Sequence, residues 1–251
     1  MTMAAIEPRD FAAIAADMAS TDTGVRVRGA VDFLRMEARF DTFLLAYKTP
    51  GSRGFSLVKS VGYSDAVAGY LTSDIQAKPE FSRQFADHTR VWDWVDVPEF
   101  ADSYSGAKVL RPEGFSNGFL MVLHDGAGDV VGMCQANMER PEFTVRSRDL
   151  VEKVRPLFTK YVARVRARAH TRLTPREQEI LALLRGGLSN AEISDRLYLS
   201  PRTVSTHVER VLRKLGVANR VAAAVQATEL ELVSPERALT AVPPPVGMAG
   251  F

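Results

Sequence analysis

The feature that most restricts this chain is a run of helix punctuation between residues 173 and 220. Thr174-Pro175-Arg176-Glu177 is a capping box, with Thr as N-cap, Pro at the first helical position and Glu at the third. Ser189-Asn190-Ala191-Glu192 repeats the box, and Ser200-Pro201 opens another helix with the same chemistry. Such side chains accept the orphan amide protons of a first helical turn, so each marks a start. The stops are equally plain: Gly186-Gly187, the tight turn Tyr198-Leu199, and Gly216. Apolar stripes lie between them, namely Ile180, Leu181 and Leu184, then Ile193 and Leu197, then Val204, Val208, Val211, Leu212 and Leu215. A last helix from about Asn219 is expected to bury Val221, Ala224 and Val225. This segment folds as four short helices.

Two short helices joined by a tight turn make a helix-turn-helix, whose second member lies in the major groove of DNA. Projecting Ser200–Leu215 at about 100° per residue sets Arg202, Thr206, Glu209 and Arg213 opposite the buried stripe, with Ser205 and Arg210 beside them. Short side chains near the helix start approach base edges, and arginines reach phosphates. The overall charge of +2 argues against a DNA partner, but it hides a partition. Residues 1–150 hold 16 Lys/Arg against 21 Asp/Glu, a balance of −5. Residues 151–172 hold seven basic groups against Glu152, and residues 173–228 hold eight against five, so these sections stand at +6 and +3. An acidic front and a basic back suggest two modules with different partners.

The same residues closely resemble the LuxR-type DNA-binding domain. The matching text is Leu173-Thr-Pro-Arg-Glu-Gln-Glu-Ile-Leu181, Gly187-Leu-Ser-Asn-Ala-Glu-Ile193, Ser200-Pro-Arg-Thr-Val204, His207-Val208 and Lys214-Leu-Gly-Val217 with Arg220. The resemblance implies a regulator of transcription, with double-stranded promoter DNA and RNA polymerase as partners. It places base reading at Ser205, Thr206 and Glu209, and puts Asn190 and Thr203 near the DNA backbone. Many members carry Lys or Arg at two of the reading positions, so the Ser and Glu here put the family's common site preference in doubt. Glu209 either accepts from a cytosine amino group or pairs with Arg213 one turn on; both readings stand. His207 reads as packed on the scaffold. A sigma-factor region resembles Ser200–Leu215 as well, but it predicts no fourth helix. A phosphorylated response regulator would need an acidic pair on a parallel βα repeat, and the front half offers neither.

Helices are expected over Phe11–Ala19 and Val25–Phe40, the latter with Val27, Val31, Leu34 and Ala38 at helical spacing. Strands Thr42–Lys48 and Phe55–Val61 form one hairpin, and Phe115–His124 and Val130–Met138 flank Asp125-Gly-Ala-Gly-Asp129 as another. Asp65–Leu71 reads as a short helix, 79–112 as irregular, and a long helix runs from Ser147 to about Ala169 with Pro156 inside it. Alternation suggests one bulky face (Phe43, Leu45, Tyr47, Phe55, Leu57, Phe119, Met121, Val131, Met133) and one small face (Ala46, Ser56, Ser60, Gly132, Cys134, Ala136). This layout, the His124–Gly132 hairpin and Phe143-Thr-Val-Arg-Ser-Arg-Asp-Leu150 resemble a GAF/PAS-like sensor domain. The fold class is therefore an α+β antiparallel-sheet sensor followed by an all-α helix-turn-helix domain, divided as 1–168, 169–233 and a tail 234–251.

The resemblance implies a small-molecule site, and Phe55, Trp92, Trp94, Phe119, Met121 and Met133 are the candidate lining. Trp92 and Trp94 point to opposite sides if the segment is extended. Trp92-Asp-Trp-Val-Asp96 matches the Tyr/Trp/Asp set of lactone-binding members only loosely, so the ligand class stays open. The rival is a front domain that only dimerises or docks a protein. Val151, Val154, Phe158, Tyr161 and Val165 recur at three/four spacing; they either pair two copies as a homodimer or pack on the chain's own sheet. Cys134 reads as packing, and one cysteine allows no internal disulfide. The four histidines lack ligand spacing, and no phosphate loop or nucleophile elbow occurs, so neither a metal, a cofactor nor an enzyme is expected. The Met1–Asp10 start lacks a signal-peptide pattern, and no apolar run spans a membrane, so a soluble cytoplasmic protein is expected.

Overall fold

Caps and periodicity set the helices, and two hairpins set most of the sheet. A computed structural model describes residues 11–73, 75–81, 87, 90–97 and 99–233; the first ten residues and the tail 234–251 lie outside these. The chain divides into two units, Met1–Arg166 and Ala167–Phe251.

The first unit holds α1 (Phe11–Ala19), α2 (Thr23–Glu37), β1 (Phe43–Lys48), β2 (Phe55–Val61), α3 (Asp65–Thr72), β3 (Trp92–Asp93), β4 (Asn117–His124), β5 (Val130–Met138) and most of α4 (Val145–His170). The stretch read as irregular contains short 3-10 turns and a π-helix at Tyr104–Leu110. Helix α2 starts where the Asp22 carboxylate accepts from the Val25 amide at 2.9 Å, and it buries Val27, Val31 and Leu34. The sheet runs β2-β1-β5-β4-β3, antiparallel throughout. Both expected hairpins form, and the β1–β5 pairing joins them.

Register corrects the expected division of the sheet faces. Met121 pairs with Cys134 and Phe119 with Ala136, so large and small residues share one face. That face packs on α2 and α4 with Phe43, Leu45, Phe158 and Val162. Met133 instead pairs with Val122 and Ala46, and with Leu44, Phe55 and Leu120 it faces α3 and the turns, among Leu71, Ile75, Phe81 and Phe100. Alternation separates odd from even within a strand; it does not say which parity meets which across strands. The bulge between Leu45 and Ala46 shifts the β1–β2 register further.

Helix α4 spends its apolar stripe on this sheet. Of the five stripe residues Val151, Val154 and Phe158 are buried, Tyr161 packs on the same cluster beside the buried Val162, and Val165 is half-buried, so most of the stripe is core of its own unit. Gly132 lets the helix in: a Cβ there would stand 2.4 Å from both the Ala46 oxygen and Val162 Cγ1. Cys134 is fully buried beneath it, and burial raises its thiol pKa well above the ordinary value against the opposing pull of Arg155.

The second unit holds α5 (Pro175–Arg185), α6 (Asn190–Leu197), α7 (Pro201–Leu215) and α8 (Arg220–Glu229). Both capping boxes are complete in both directions, and Ser200 and Asn219 cap α7 and α8. Gly216 takes a left-handed φ of 67° that ends α7. Helix α8 corrects its expected stripe, since Ala223 and Ala227 face the core while Val221 and Val225 are exposed. Alanines allow close approach to α5, which ranking residues by size does not anticipate. Among the described residues no helix is long and apolar enough to cross a membrane.

Candidate functional site

Helix α7 owes its placement to anchors behind it. Val204, Val211 and Leu215 are buried, and Val208 and Leu212 are half-buried against the other helices. Lys214 donates to the buried Glu177 carboxylate at 2.6 Å and to the Arg172 carbonyl at 3.1 Å. Burial pushes the Glu177 carboxyl up, but hydrogen bonds from Lys214 and Thr174 outweigh it and hold the group below its ordinary value. The turn between α6 and α7 passes through Tyr198 in a left-handed conformation (φ 53°) with its side chain exposed.

The opposite face of α7 is open. Arg202, Thr206, Glu209, Arg210 and Arg213 are exposed, and Thr203 and Ser205 are half-buried near the helix start. Among the described residues the side chains of Arg202, Arg210 and Arg213 form no ion pair, and Glu209 makes none with Arg213. The Glu209 carboxylate is thus left free to accept from a ligand. Thr206 Oγ1 donates to the Arg202 carbonyl at 3.0 Å, and Thr203 Oγ1 lies 2.8 Å from Ser200 Oγ. Asn190 turns from α6 towards α7, its Nδ2 donating to Ser205 Oγ at 3.2 Å. His207 is half-buried, with an Nδ1 that finds no partner among the described residues.

The candidate ligand residues are less united. A cavity of about 20 Å³ opens beside β3 and β4, and Trp92, Trp94 and Phe119 line it along with Phe81, Phe100 and Gln135. Phe55 and Met133 lie in the core on the α3-covered face, and Met121 lies on the other face entirely. Strand β3 ends at Asp93, whose Oδ1 accepts from the Val95 and Asp96 amides. This turn brings Trp94 round to the same cavity as Trp92, with its ring 5.0 Å from that of Phe100. The expected divergence of the two indoles assumed an extended segment.

Arg148 on α4 holds the turn, donating to Asp93 and Asp96 at 3.0 Å each and to the Val91 carbonyl. Burial pushes Asp96 up, but the Asp93 amide, Arg90 and Arg148 outweigh it and keep the carboxyl below its ordinary value. The residue the sequence reading missed is Gln135. It is 3% exposed in β5, its Nε2 donates to the buried Asn137 Oδ1 at 3.5 Å, and its Oε1 has no hydrogen-bond partner among the described residues. Its signal was a pair of amides, Gln135 and Asn137, inside a buried strand. A far larger groove, about 880 Å³, lies on the second unit among Arg176, Arg196, Tyr198 and Leu232, and holds none of the candidate ligand residues. No group of three or more His, Cys, Asp or Glu side chains suited to a metal occurs among the described residues.

The model of the family described as bacterial regulatory proteins, luxR family, matches residues 171–227. Residues 171–227 are a LuxR-family helix-turn-helix domain. The chain is 48% identical over 63 residues to the DNA-binding transcriptional activator DevR/DosR of Mycobacterium tuberculosis, covering 25% of this chain and 29% of that protein. It is 45% identical over 65 residues to the transcriptional regulatory protein LiaR of Bacillus subtilis, covering 26% and 31% respectively. The chain thus spans less than a third of the length of either relative. Beyond the LuxR-family domain, Escherichia coli SdiA is similar in structure at a TM-score of 0.43 and 16% identity, covering 89% of this chain and 98% of that one. A GAF domain/HD domain protein of Geobacter sulfurreducens reaches 0.42 at 14% identity, covering 63% and 96%. These likenesses are too slight to carry a function.

Proposed function

We propose that the protein is a sequence-specific DNA-binding transcription regulator controlled by a small molecule held in the first unit. The observation that carries the DNA reading is the outward face of α7, where three arginines that form no ion pair among the described residues flank short polar side chains and a carboxylate likewise unpaired among them. Arg202, Arg210 and Arg213 supply salt-dependent affinity for phosphates, while Ser205, Thr206 and Glu209 read bases and Asn190 and Thr203 support them. RNA polymerase enters as a partner through the family resemblance, and a chromosomal target puts the protein in the cytoplasm. Gel shifts with the full chain separate the roles. Arg210→Ala should weaken every duplex alike and lower the salt slope by about one, whereas Thr206→Ala should erode discrimination between sequences. Equal loss on all sequences for both variants would contradict the assignment.

The ligand reading rests on Gln135. A buried amide oxygen without a partner costs about 1–3 kcal/mol, and Gln135 is one of the residues lining a cavity walled by aromatic rings. At about 20 Å³ that space suits one water, so a larger guest requires the Trp92–Val97 segment to move. Native mass spectrometry of the purified protein is expected to show a co-purifying small molecule that Gln135→Leu loses. A bare polypeptide mass under gentle conditions would favour a first unit that only dimerises or docks a protein. Two copies on a two-fold site complete the proposal, and since most of the α4 stripe is spent on its own sheet while Val221 and Val225 are exposed, sedimentation of the Val221→Asp and Val225→Asp variants tests whether α8 is the seam.

A further inference from the structure

Two neighbouring hydroxyls on α7 are wired in opposite senses. Thr206 gives its proton back to the Arg202 carbonyl, so towards solvent it offers lone pairs and a methyl group. Ser205 makes no such bond. It accepts from Asn190 Nδ2 at 3.2 Å, and its own proton is left for an outside acceptor. Asn190 is the first residue of α6, and its Oδ1 is buried with no partner among the described residues. Ser205 is therefore the one polar partner its side chain has among them. One turn beyond Ser205 stands Glu209, exposed and without an ion-pair partner among the described residues, a group that can only accept.

We propose that Asn190 is a positioning residue that sets the hydrogen-bond polarity of Ser205, so that α7 reads one base pair through a hydroxyl donor and another through the Glu209 carboxylate. This rests on the reading of α7 as the helix that enters the major groove. In that groove the free proton of Ser205 suits the acceptor edges of guanine (N7, O6), adenine (N7) and thymine (O4), while cytosine, whose N4 is itself a donor, finds only the lone pair that Asn190 leaves over. The Glu209 carboxylate accepts from the cytosine N4 amino group and is repelled by the acceptor edges of guanine and thymine. Each half-site is expected to set a base with a major-groove acceptor, and not a cytosine, against Ser205 and a cytosine against Glu209. The amide of Asn190 thus has a task distinct from holding the DNA backbone.

The test is selection from a randomised duplex pool with the full-length protein, followed by binding ratios at each base pair. Asn190→Asp cannot donate; its carboxylate takes the Ser205 proton and turns the hydroxyl lone pairs outward. Preference at one base pair should then move from an acceptor-edged base (guanine or thymine) to cytosine, by about fivefold or more, while the pair read by Glu209 keeps its preference. Aspartate suits the first turn of a helix, so the variant keeps its fold. Its extra negative charge weakens all duplexes alike, and a ratio between duplexes cancels that loss. In a Ser205→Ala background Asn190→Asp should leave the ratios unchanged, and Glu209→Gln should lower discrimination at the second pair by about tenfold. A wild-type protein that selects a site while Asn190→Asp leaves every ratio within about twofold overturns this inference and leaves the docking of α7 standing. The same shift in the Ser205→Ala background overturns it too. A wild-type protein that selects no site overturns both.

Discussion

The two units reach their folds by different routes. In the second, every helix that positions the candidate interface starts at a side chain whose partner lies three residues away. In the first, the sheet is closed by β1 pairing with β5, which brings Leu45 to Cys134 across most of the unit's sequence. Local chemistry decides one region and long-range register decides the other. A surface built from capped helices can thus be read residue by residue, whereas a cavity on a sheet depends on which strand faces which.

This contrast can be broken most forcefully at Phe158, fully buried between α4 and the sheet. Phe158→Ala should cost the first unit about 4 kcal/mol and leave the second unit's transition where it was. Both tryptophans lie in the first unit, so urea unfolding followed by fluorescence and by far-ultraviolet circular dichroism separates the two. A common shift in both signals would show that the units unfold together.

A smaller effect is expected at Lys214. Lys214→Ala leaves the Glu177 carboxylate buried without its cation, a loss of about 2 kcal/mol confined to the second unit. The pH sign follows from the lowered pKa of Glu177. Its contribution is complete above the unfolded value of about 4.5 and is lost as pH falls through the folded one. Thermal melts should therefore show an acid loss in wild type that is reduced in Lys214→Ala. An identical acid loss in both proteins would remove Glu177 from the account.

The smallest effect tests the caps themselves. Ser200→Ala deletes the acceptor of the Thr203 amide and should destabilise the second unit by about 1 kcal/mol. A loss below a few tenths would mean that packing of Val204 and Val211, rather than the cap, sets where α7 begins.

What could be read in advance follows the same division. The starts of α5, α6 and α7, the stop at Gly216 and the outward face of α7 were legible because each is a local pattern. The exposed valines of α8 were misjudged because alanine is a poor signal of burial although it permits close packing. Both hairpins were legible from their turns, yet Met121 and Met133 were assigned to one pocket although they occupy opposite faces. The course of Trp94 was hidden because the Asp93 carboxylate, not the indole, bends the chain. The stripe on α4 read equally well as a seam between copies and as core; only its burial against the sheet decides.

The close seating of α4 over Gly132 has a mechanical consequence. Where two side chains meet, either can change rotamer and the gap between their elements can breathe. At Gly132 there is no side chain to move, and Val162 rests on main chain. The spacing of helix and sheet is thus gauged by bare backbone at that point, as a stop gauges the travel of a lever.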